Sequence, residues 1–175
     1  MRLFLAVRFG GEMRKSLSDC TEKLKAAALR GRFTSGENLH LTLAFLGETD
    51  REEDVRRAMD SVAAPPFELR TGGLGRFPRG GVCWAGTEPC PPLFDLQRRL
   101  SAALRGSGFR LETRPFVPHI TLGRETVFPR DADFESLRPA PARMTVESFS
   151  LMRSERACGG MIYTERYARR LEEDR

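Results

Sequence analysis

Both histidines of the chain lie in short segments of the same form, His-x-Thr-Leu. His40 is followed by Thr42, and His119 is followed in the same way by Thr121. Side chains two positions apart share one face of a β-strand. Each segment therefore predicts a strand that offers an imidazole and a hydroxyl to one surface and its apolar residues to a core. Imidazole exchanges protons near neutral pH, so a facing pair can serve as the acid and the base of one reaction.

Two imidazoles with neighbouring hydroxyls suit displacement at phosphorus without a metal ion. A neutral histidine takes a proton from the attacking water, and a protonated one gives a proton to the leaving oxygen. The hydroxyls of Thr42 and Thr121 can donate hydrogen bonds to the non-bridging oxygens. Arg124 follows closely after His119, and its planar guanidinium matches phosphate geometry. Two histidines leave a tetrahedral zinc ion short of protein ligands, so neither a metal nor another cofactor is expected.

Phe4 and Phe45 are candidate substrate contacts of a different kind. Phe4 shares one face of the first predicted strand with Arg2, and an aromatic ring in such a position can stack on a nucleobase. Phe45 lies at the end of the first motif strand. Packing in the core is the alternative interpretation for both rings, and it is the one that the pattern favours.

The net charge favours an anionic partner. The chain of 175 residues carries a formal charge of +5 and has a pI of about 9.4, which is typical of proteins that bind nucleic acids or phosphate esters. Nearly all of the positive charge is arginine, since only three lysines occur. A general arginine bias is therefore the alternative explanation for the charge.

Length and cysteine usage predict a single domain, residues 1–175, in the cytoplasm. The apolar N-terminal run ends at Arg8 without a small-residue cleavage site, and no apolar stretch is long enough to span a bilayer. The four cysteines lack the spacing of a zinc site or of a disulfide framework. We therefore expect a cytoplasmic protein with reduced cysteines and no membrane partner.

The hydrophobic pattern predicts alternating strands and helices. In addition to the strand that carries the second motif, strands are expected at 2–8, 38–46, 67–77, 82–86, 145–153 and 160–168. Helices are expected at 12–30, from about 50 to 62, and at 93–106. The run Gly72-Gly73 predicts a turn, the segment 125–144 an exposed loop, and the segment 169–175 a frayed end.

Each His-x-Thr motif lies in a strand that is preceded by a helix and, before that helix, by another strand. This repeated order indicates a duplication. We predict an α/β (α+β) fold of two pseudo-symmetric lobes, each with an antiparallel sheet flanked by helices. A pseudo-two-fold arrangement would bring both motifs to one central cleft.

Several stretches together resemble a known family. They run from the first strand to near the C-terminus and comprise residues 2–7, 37–47, 82–86 and 118–124, with Ser154, Gly160 and Tyr163. The block Asn-Leu-His-Leu-Thr-Leu-Ala-Phe-Leu-Gly at 38–47 is the most specific. The sequence resembles the 2H phosphoesterase superfamily, whose signature is two H-x-[ST]-x motifs. More specifically, it resembles the RNA 2′,3′-cyclic phosphodiesterases of bacteria and archaea, historically called 2′-5′ RNA ligases.

The resemblance implies a bilobal α/β fold and hydrolysis, without a metal ion, of a 2′,3′-cyclic phosphate end of RNA to a 2′-phosphate. It implies that His40 is the general acid for the leaving 3′ oxygen and that His119 is the general base for water, although the symmetry of the site permits the reverse. Thr42 and Thr121 would hold the phosphate, and Arg124 matches a phosphate-contacting arginine of the family. The expected partner is thus RNA with a cyclic phosphate end, bound by a monomer.

Three alternatives use the same residues. A 2H phosphodiesterase could act on another cyclic nucleotide or on a 2′-5′ oligonucleotide. A non-catalytic RNA-binding module would keep the groove without the chemistry, and the intact histidines and threonines of both motifs disfavour it. RNA ligation would be the reverse reaction, and in dilute aqueous solution it should be minor.

Overall fold

The computed structural model describes residues 1–172, which form nine strands and four helices. The strands are β1 (Arg2–Arg8), β2 (Arg30–Phe33), β3 (His40–Glu48), β4 (Phe67–Phe77), β5 (Val82–Thr87), β6 (Ile120–Val127), β7 (Arg143–Val146), β8 (Ser148–Ala157) and β9 (Gly160–Arg170). The helices are α1 (Gly11–Ala27), α2 (Glu52–Asp60), α3 (Pro91–Gly106) and α4 (Phe134–Leu137).

The strands form one antiparallel sheet with the two motif strands at its centre. Its order is β7-β4-β5-β6-β3-β1-β8-β9, and β2 also pairs with β6. The central strands β3 and β6 pair through Leu41 and Ile120. Three strands continue the sheet beyond β3 and three beyond β6, so two matching halves meet at the motifs. The α/β class is confirmed, whereas the division into two lobes stays a prediction.

The two long helices are exchanged between the halves of the sheet. Helix α1 follows β1 but packs against the other half, where the hydroxyl of Ser16 donates to the carbonyl of Ala140 at 2.5 Å. Helix α3 follows β5 but packs against β3, where the side-chain amide of Gln97 donates to the carbonyl of Leu43 at 3.3 Å. Each half of the sheet is therefore covered by a helix that the other half supplies.

The apolar residues of both motifs point into the core beneath these helices. Leu41 and Leu122 are 0% exposed, Ile120 is 1% exposed and Leu43 is 2% exposed. Burying such a side chain contributes about 1.5–3 kcal/mol, and a shift of one residue in strand register would move all of them to solvent. Core packing thus holds the imidazoles and hydroxyls on the opposite face.

The strand β2 corrects the first predicted helix. A helix over 12–30 was expected from the apolar spacing, but α1 ends at Ala27 and β2 begins at Arg30. The chain pairs with β6 instead, beginning with the amide of Leu29, which donates to the carbonyl of Val127 at 2.8 Å. Pairing with a strand distant in sequence here overrides local helical periodicity.

The prediction of an exposed loop over 125–144 is wrong. The segment contains the end of β6, helix α4 and strand β7. The rings of Phe128 and Phe134 pack edge to face with centroids 5.0 Å apart, and Asp133 caps α4 through the amides of Glu135 and Ser136. These elements are too short for a periodic pattern to reveal them.

Two smaller expectations also need correction. Gly72 and Gly73 lie within β4 rather than in a turn, and a Cβ on Gly72 would come within 2.8 Å of the Thr87 carbonyl carbon. The predicted frayed end at 169–175 is ordered as far as it is described, because β9 runs to Arg170 and Glu172 bridges to Ala64. Residues 173–175 lie outside the described residues. The strand expected over 67–77 and the helix expected over 93–106 are confirmed.

Candidate active site

The central strand pair brings the two motifs together. Leu41 lies opposite Ile120 in an antiparallel register, so the residue before one lies beside the residue after the other. His40 therefore lies beside Thr121, and Thr42 lies beside His119. All four side chains are half-buried, and they occupy the face of the sheet opposite to the core.

Each imidazole is held through the same local hydrogen bond. Nδ1 of His40 lies 2.7 Å from the carbonyl oxygen of Asn38, and Nδ1 of His119 lies 2.8 Å from that of Val117. A carbonyl can only accept, so Nδ1 carries the hydrogen in both rings. Nε2 of each histidine is consequently the nitrogen that can accept or give a proton.

Aromatic rings surround both histidines. His40 lies 4.9 Å from Phe4 and 5.1 Å from Tyr163, measured between ring centroids. His119 lies 5.1 Å from Phe77 and 6.1 Å from Trp84. Sequence reasoning assigned no site role to Tyr163, Phe77 or Trp84, because these contacts come from β9, β4 and β5. The only sequence signal was that Trp84 and Tyr163 fell within the stretches that resemble the family.

A bulge at the same place in both motif strands moves one further residue to the site face. In β3, Thr42 pairs with Ala6 and Ala44 pairs with the preceding residue of β1, so Leu43 is left without a partner in β1. In β6, Thr121 and Gly123 pair with consecutive residues of β5, so Leu122 is left without a partner there. A bulge shifts the alternation of side chains by one.

These bulges place Phe45 and Arg124 at equivalent positions of the two halves. Strict alternation would put each on the face opposite to its histidine. Instead the ring of Phe45 stacks on Phe4, with centroids 5.9 Å apart, and the charge of Arg124 acts on His40. Because β3 and β6 are antiparallel, Phe45 and Arg124 lie toward opposite ends of the pair.

The two candidate phenylalanines differ in accessibility. Phe4 is 2% exposed and packs with Met152, Ala6 and Tyr163, as the core alternative predicted. Phe45 is 47% exposed, and the guanidinium carbon of Arg2 lies 5.3 Å from its ring centroid. Of the two rings, Phe45 therefore offers the open surface.

Burial and neighbouring charge lower the pKa of His40 below its usual value. The largest cause is loss of hydration on burial, and the charges of Arg124 and His119 act in the same direction. The Asn38 carbonyl opposes them by stabilising the protonated ring. The free protein at neutral pH thus holds His40 mainly as the neutral imidazole.

This electrostatic environment predicts a measurable titration. We expect the His40 Cε1 proton resonance to titrate with a midpoint below about 6.5, the value of an unperturbed imidazole. We also expect Arg124→Gln to raise that midpoint, since it removes a nearby positive charge. One-dimensional NMR across pH measures both, and the His119→Gln variant assigns the resonance. A His40 midpoint at or above that of free histidine would contradict the prediction.

The described residues include no cluster of metal ligands, and two of the buried cysteines have unreactive thiols. Residues 1–172 contain no group of three or more His, Cys, Asp or Glu side chains that could hold a metal ion. Burial raises the pKa of the Cys20 thiol to about 12 and that of Cys83 to about 11, which keeps both protonated.

No helix within residues 1–172 is long and apolar enough to cross a membrane.

The profile of the 2′-5′ RNA ligase superfamily matches residues 14–157. The chain belongs to this superfamily. A protein of Thermotoga maritima named RNA 2′,3′-cyclic phosphodiesterase is 33% identical to it, over 95% of this chain and 94% of the relative. A protein of the same name from Methanothermobacter thermautotrophicus is 36% identical, over 94% of this chain and 96% of the relative.

A comparison with a solved structure agrees with this assignment. The crystal structure of E. coli LigT in apo form superimposes with a TM-score of 0.85 at 31% identity and covers 98% of both chains. The predicted family of the chain is thereby confirmed, and the sheet described above is that of a 2′-5′ RNA ligase superfamily member.

Proposed function

We propose that this chain hydrolyses the 2′,3′-cyclic phosphate at the 3′ end of RNA to a 2′-phosphate, without a metal ion. Its membership of the superfamily and the names of its relatives support the reaction. The observation that carries the proposal is the central strand pair. It sets two imidazoles and two hydroxyls on one face, and both imidazoles have the same nitrogen left for the substrate.

The proposed reaction needs one proton transfer at each histidine. Nε2 of neutral His119 takes a proton from water as the water oxygen forms a bond to phosphorus. The bond from phosphorus to the 3′ oxygen breaks, and protonated Nε2 of His40 gives its proton to that oxygen. The products are a 2′-phosphate and a 3′ hydroxyl, and exchange with solvent restores both protonation states.

The lowered pKa of His40 bears on this assignment. A general acid must hold a proton before the reaction, while burial and Arg124 favour the neutral ring. A bound phosphate places negative charge between these groups, which offsets the positive charge of Arg124 and favours protonation of His40. The proposed acid is thus charged when the substrate is present.

The remaining site residues would hold the cyclic phosphate and the terminal nucleobase. Thr42 and Thr121 donate to the non-bridging oxygens, and the guanidinium of Arg124 stabilises the charge that develops there. The exposed ring of Phe45 stacks on the terminal nucleobase, and buried Phe4 supports both Phe45 and His40 from below. The proposed enzyme acts as a monomer, on RNA ends in the cytoplasm.

The direct test is hydrolysis of an RNA with a 2′,3′-cyclic phosphate end in the presence of EDTA. We expect a 2′-phosphate product, with its position identified by ³¹P NMR. A product carrying a 3′-phosphate, or activity that requires added metal, would contradict the proposal. Binding of the RNA without turnover would instead identify a binding module, and ligated RNA as the main product would favour the reverse reaction.

A further inference from the structure

An open pocket adjoins His40 on the side away from the central strand pair. It has a volume of about 510 Å³, within the range of roughly 300–1,000 Å³ that is typical of small-ligand sites. Its walls include Asn38, whose carbonyl holds His40, and Tyr163, whose ring contacts His40. Arg8, another wall residue, pairs with His40 in the sheet. The pocket therefore lies directly beside the candidate active site.

Arg14 supplies the available cation of this pocket. Its Nε donates to the carbonyl of Phe9 at 3.2 Å, which anchors the guanidinium. Within residues 1–172 it forms no ion pair, so its terminal nitrogens remain available to a ligand. Arg8, in contrast, donates to Glu165 at 3.2 Å, and that carboxylate also accepts from Ser150.

The other walls add polar and apolar contacts. The side-chain amide nitrogen of Asn38 donates to the carbonyl of Met161 at 2.9 Å, which ties the segment before β3 to β9. Ser35 adds a hydroxyl, and Ile162 is 51% exposed beside Tyr163. Glu37 is the acidic residue of the lining. Its carboxylate repels a phosphate and can accept a hydrogen bond from a sugar hydroxyl, which favours a ligand orientation with the sugar toward Glu37 and the phosphate toward Arg14.

The direction of the strands relates this pocket to the rest of the cleft. Arg124 lies beyond Thr121, toward the His40 end of the central pair, and Phe45 lies beyond Thr42, toward the other end. The His40 end thus gathers Arg124, Arg8 and Arg14, which suit a phosphodiester backbone. The opposite end offers the open ring of Phe45, which suits a base.

We propose that the pocket lined by Arg8, Arg14, Ser35, Asn38, Ile162 and Tyr163, here called the upstream pocket, binds the nucleotide immediately 5′ to the cyclic end. Arg14 contacts the phosphodiester that joins this nucleotide to the terminal one, and Ile162 packs against its apolar surface. The proposal rests on the proposed function, and it makes the chain an enzyme of RNA ends that prefers oligonucleotides to cyclic mononucleotides.

The test compares two substrates in matched variants. One substrate is a dinucleotide with a 2′,3′-cyclic phosphate end, and the other is the corresponding cyclic mononucleotide. We expect Arg14→Gln to lower kcat/KM about tenfold for the dinucleotide and to leave the mononucleotide unchanged. Lys15→Gln removes the same charge from the next residue of α1, where Lys15 pairs with Asp19 at 2.7 Å, and should change neither value.

Two further readouts separate binding from a structural effect. Losing the contact between Arg14 and a phosphate should make KM for the dinucleotide less dependent on salt concentration, because one screened ion pair is removed. Ile162→Asp introduces a negative charge from β9 rather than α1, and it should produce the same selective loss. Thermal unfolding of each variant checks that the fold is intact.

The outcomes decide the two proposals separately. Equal losses on both substrates, or no loss on either, would overturn the upstream pocket. If the wild type hydrolyses neither substrate, the proposed function fails, and calorimetric binding of the matching dinucleotide and mononucleotide 2′-phosphates still judges the pocket. In that case the pocket is supported if Arg14→Gln binds the dinucleotide more weakly than the wild type does and binds the mononucleotide equally well. Unchanged binding of the dinucleotide overturns the pocket.

Discussion

Replacing either histidine by glutamine is expected to lower kcat on the order of 10²-fold or more for an RNA with a cyclic phosphate end. General acid or base catalysis typically contributes about 10²–10⁴-fold, and each imidazole is proposed to carry one of the two proton transfers. Glutamine approximates the size of the ring and cannot exchange a proton near neutral pH, although it lacks the Nδ1 that contacts the carbonyls of Asn38 and Val117. Single-turnover hydrolysis at saturating RNA measures the effect on the chemical step.

The paired variants also test whether the histidines act together. Because one step uses both protons, the double variant should lose little more than the worse single variant. The rings of Phe4 and Tyr163 pack around His40, so the melting temperature of His40→Gln serves as the stability control. Retention of near wild-type kcat in a folded His119→Gln variant would rule out catalysis by two histidines.

Arg124→Gln is expected to reduce kcat/KM by about 10²-fold, the typical loss when one donor to a developing oxyanion is removed. The matched control is Arg32→Gln. Arg32 pairs with Arg124 across β2 and β6, and its own side chain is held by Glu125 at 2.6 Å. A purely long-range effect of charge would make the two variants equal, and equal losses would contradict direct contact of Arg124 with the phosphate.

The same variant also tests the electrostatic coupling between Arg124 and His40. Arg124 lowers the pKa of His40, so its removal raises that pKa. The limb of the kcat/KM profile that reports His40 should therefore move to higher pH, whichever of the two proton transfers His40 carries out. The two limbs belong to a coupled pair, so the shift between variants is the informative quantity.

Local pattern was sufficient to place the imidazoles and the threonine hydroxyls on one face. His40 and Thr42, like His119 and Thr121, lie two residues apart, and their apolar neighbours are almost fully buried. A period of two is a property of the strand itself and needs no knowledge of its partners. The duplication then indicated that the two strands meet, and they do so through Leu41 and Ile120.

Local pattern did not predict the features that arise from pairing between strands. The bulges at Leu43 and Leu122 arise from pairing with β1 and β5. No alternation within the motifs indicates that Phe45 and Arg124 return to the site face. Strand β2 was likewise hidden, because Arg30 and Phe33 acquire their conformation by pairing with β6.

The sequence by itself determined the pair of His-x-Thr motifs, their faces, the α/β class and the family. These properties depend on residue identity and on spacing within single segments. Only the tertiary structure decided that the helices are exchanged between the halves, that Tyr163 and Trp84 border the histidines, and that Arg14 faces a pocket beside His40. Each of these contacts joins residues far apart in the chain, and their geometry follows from strand order, register and helix packing, which act between segments.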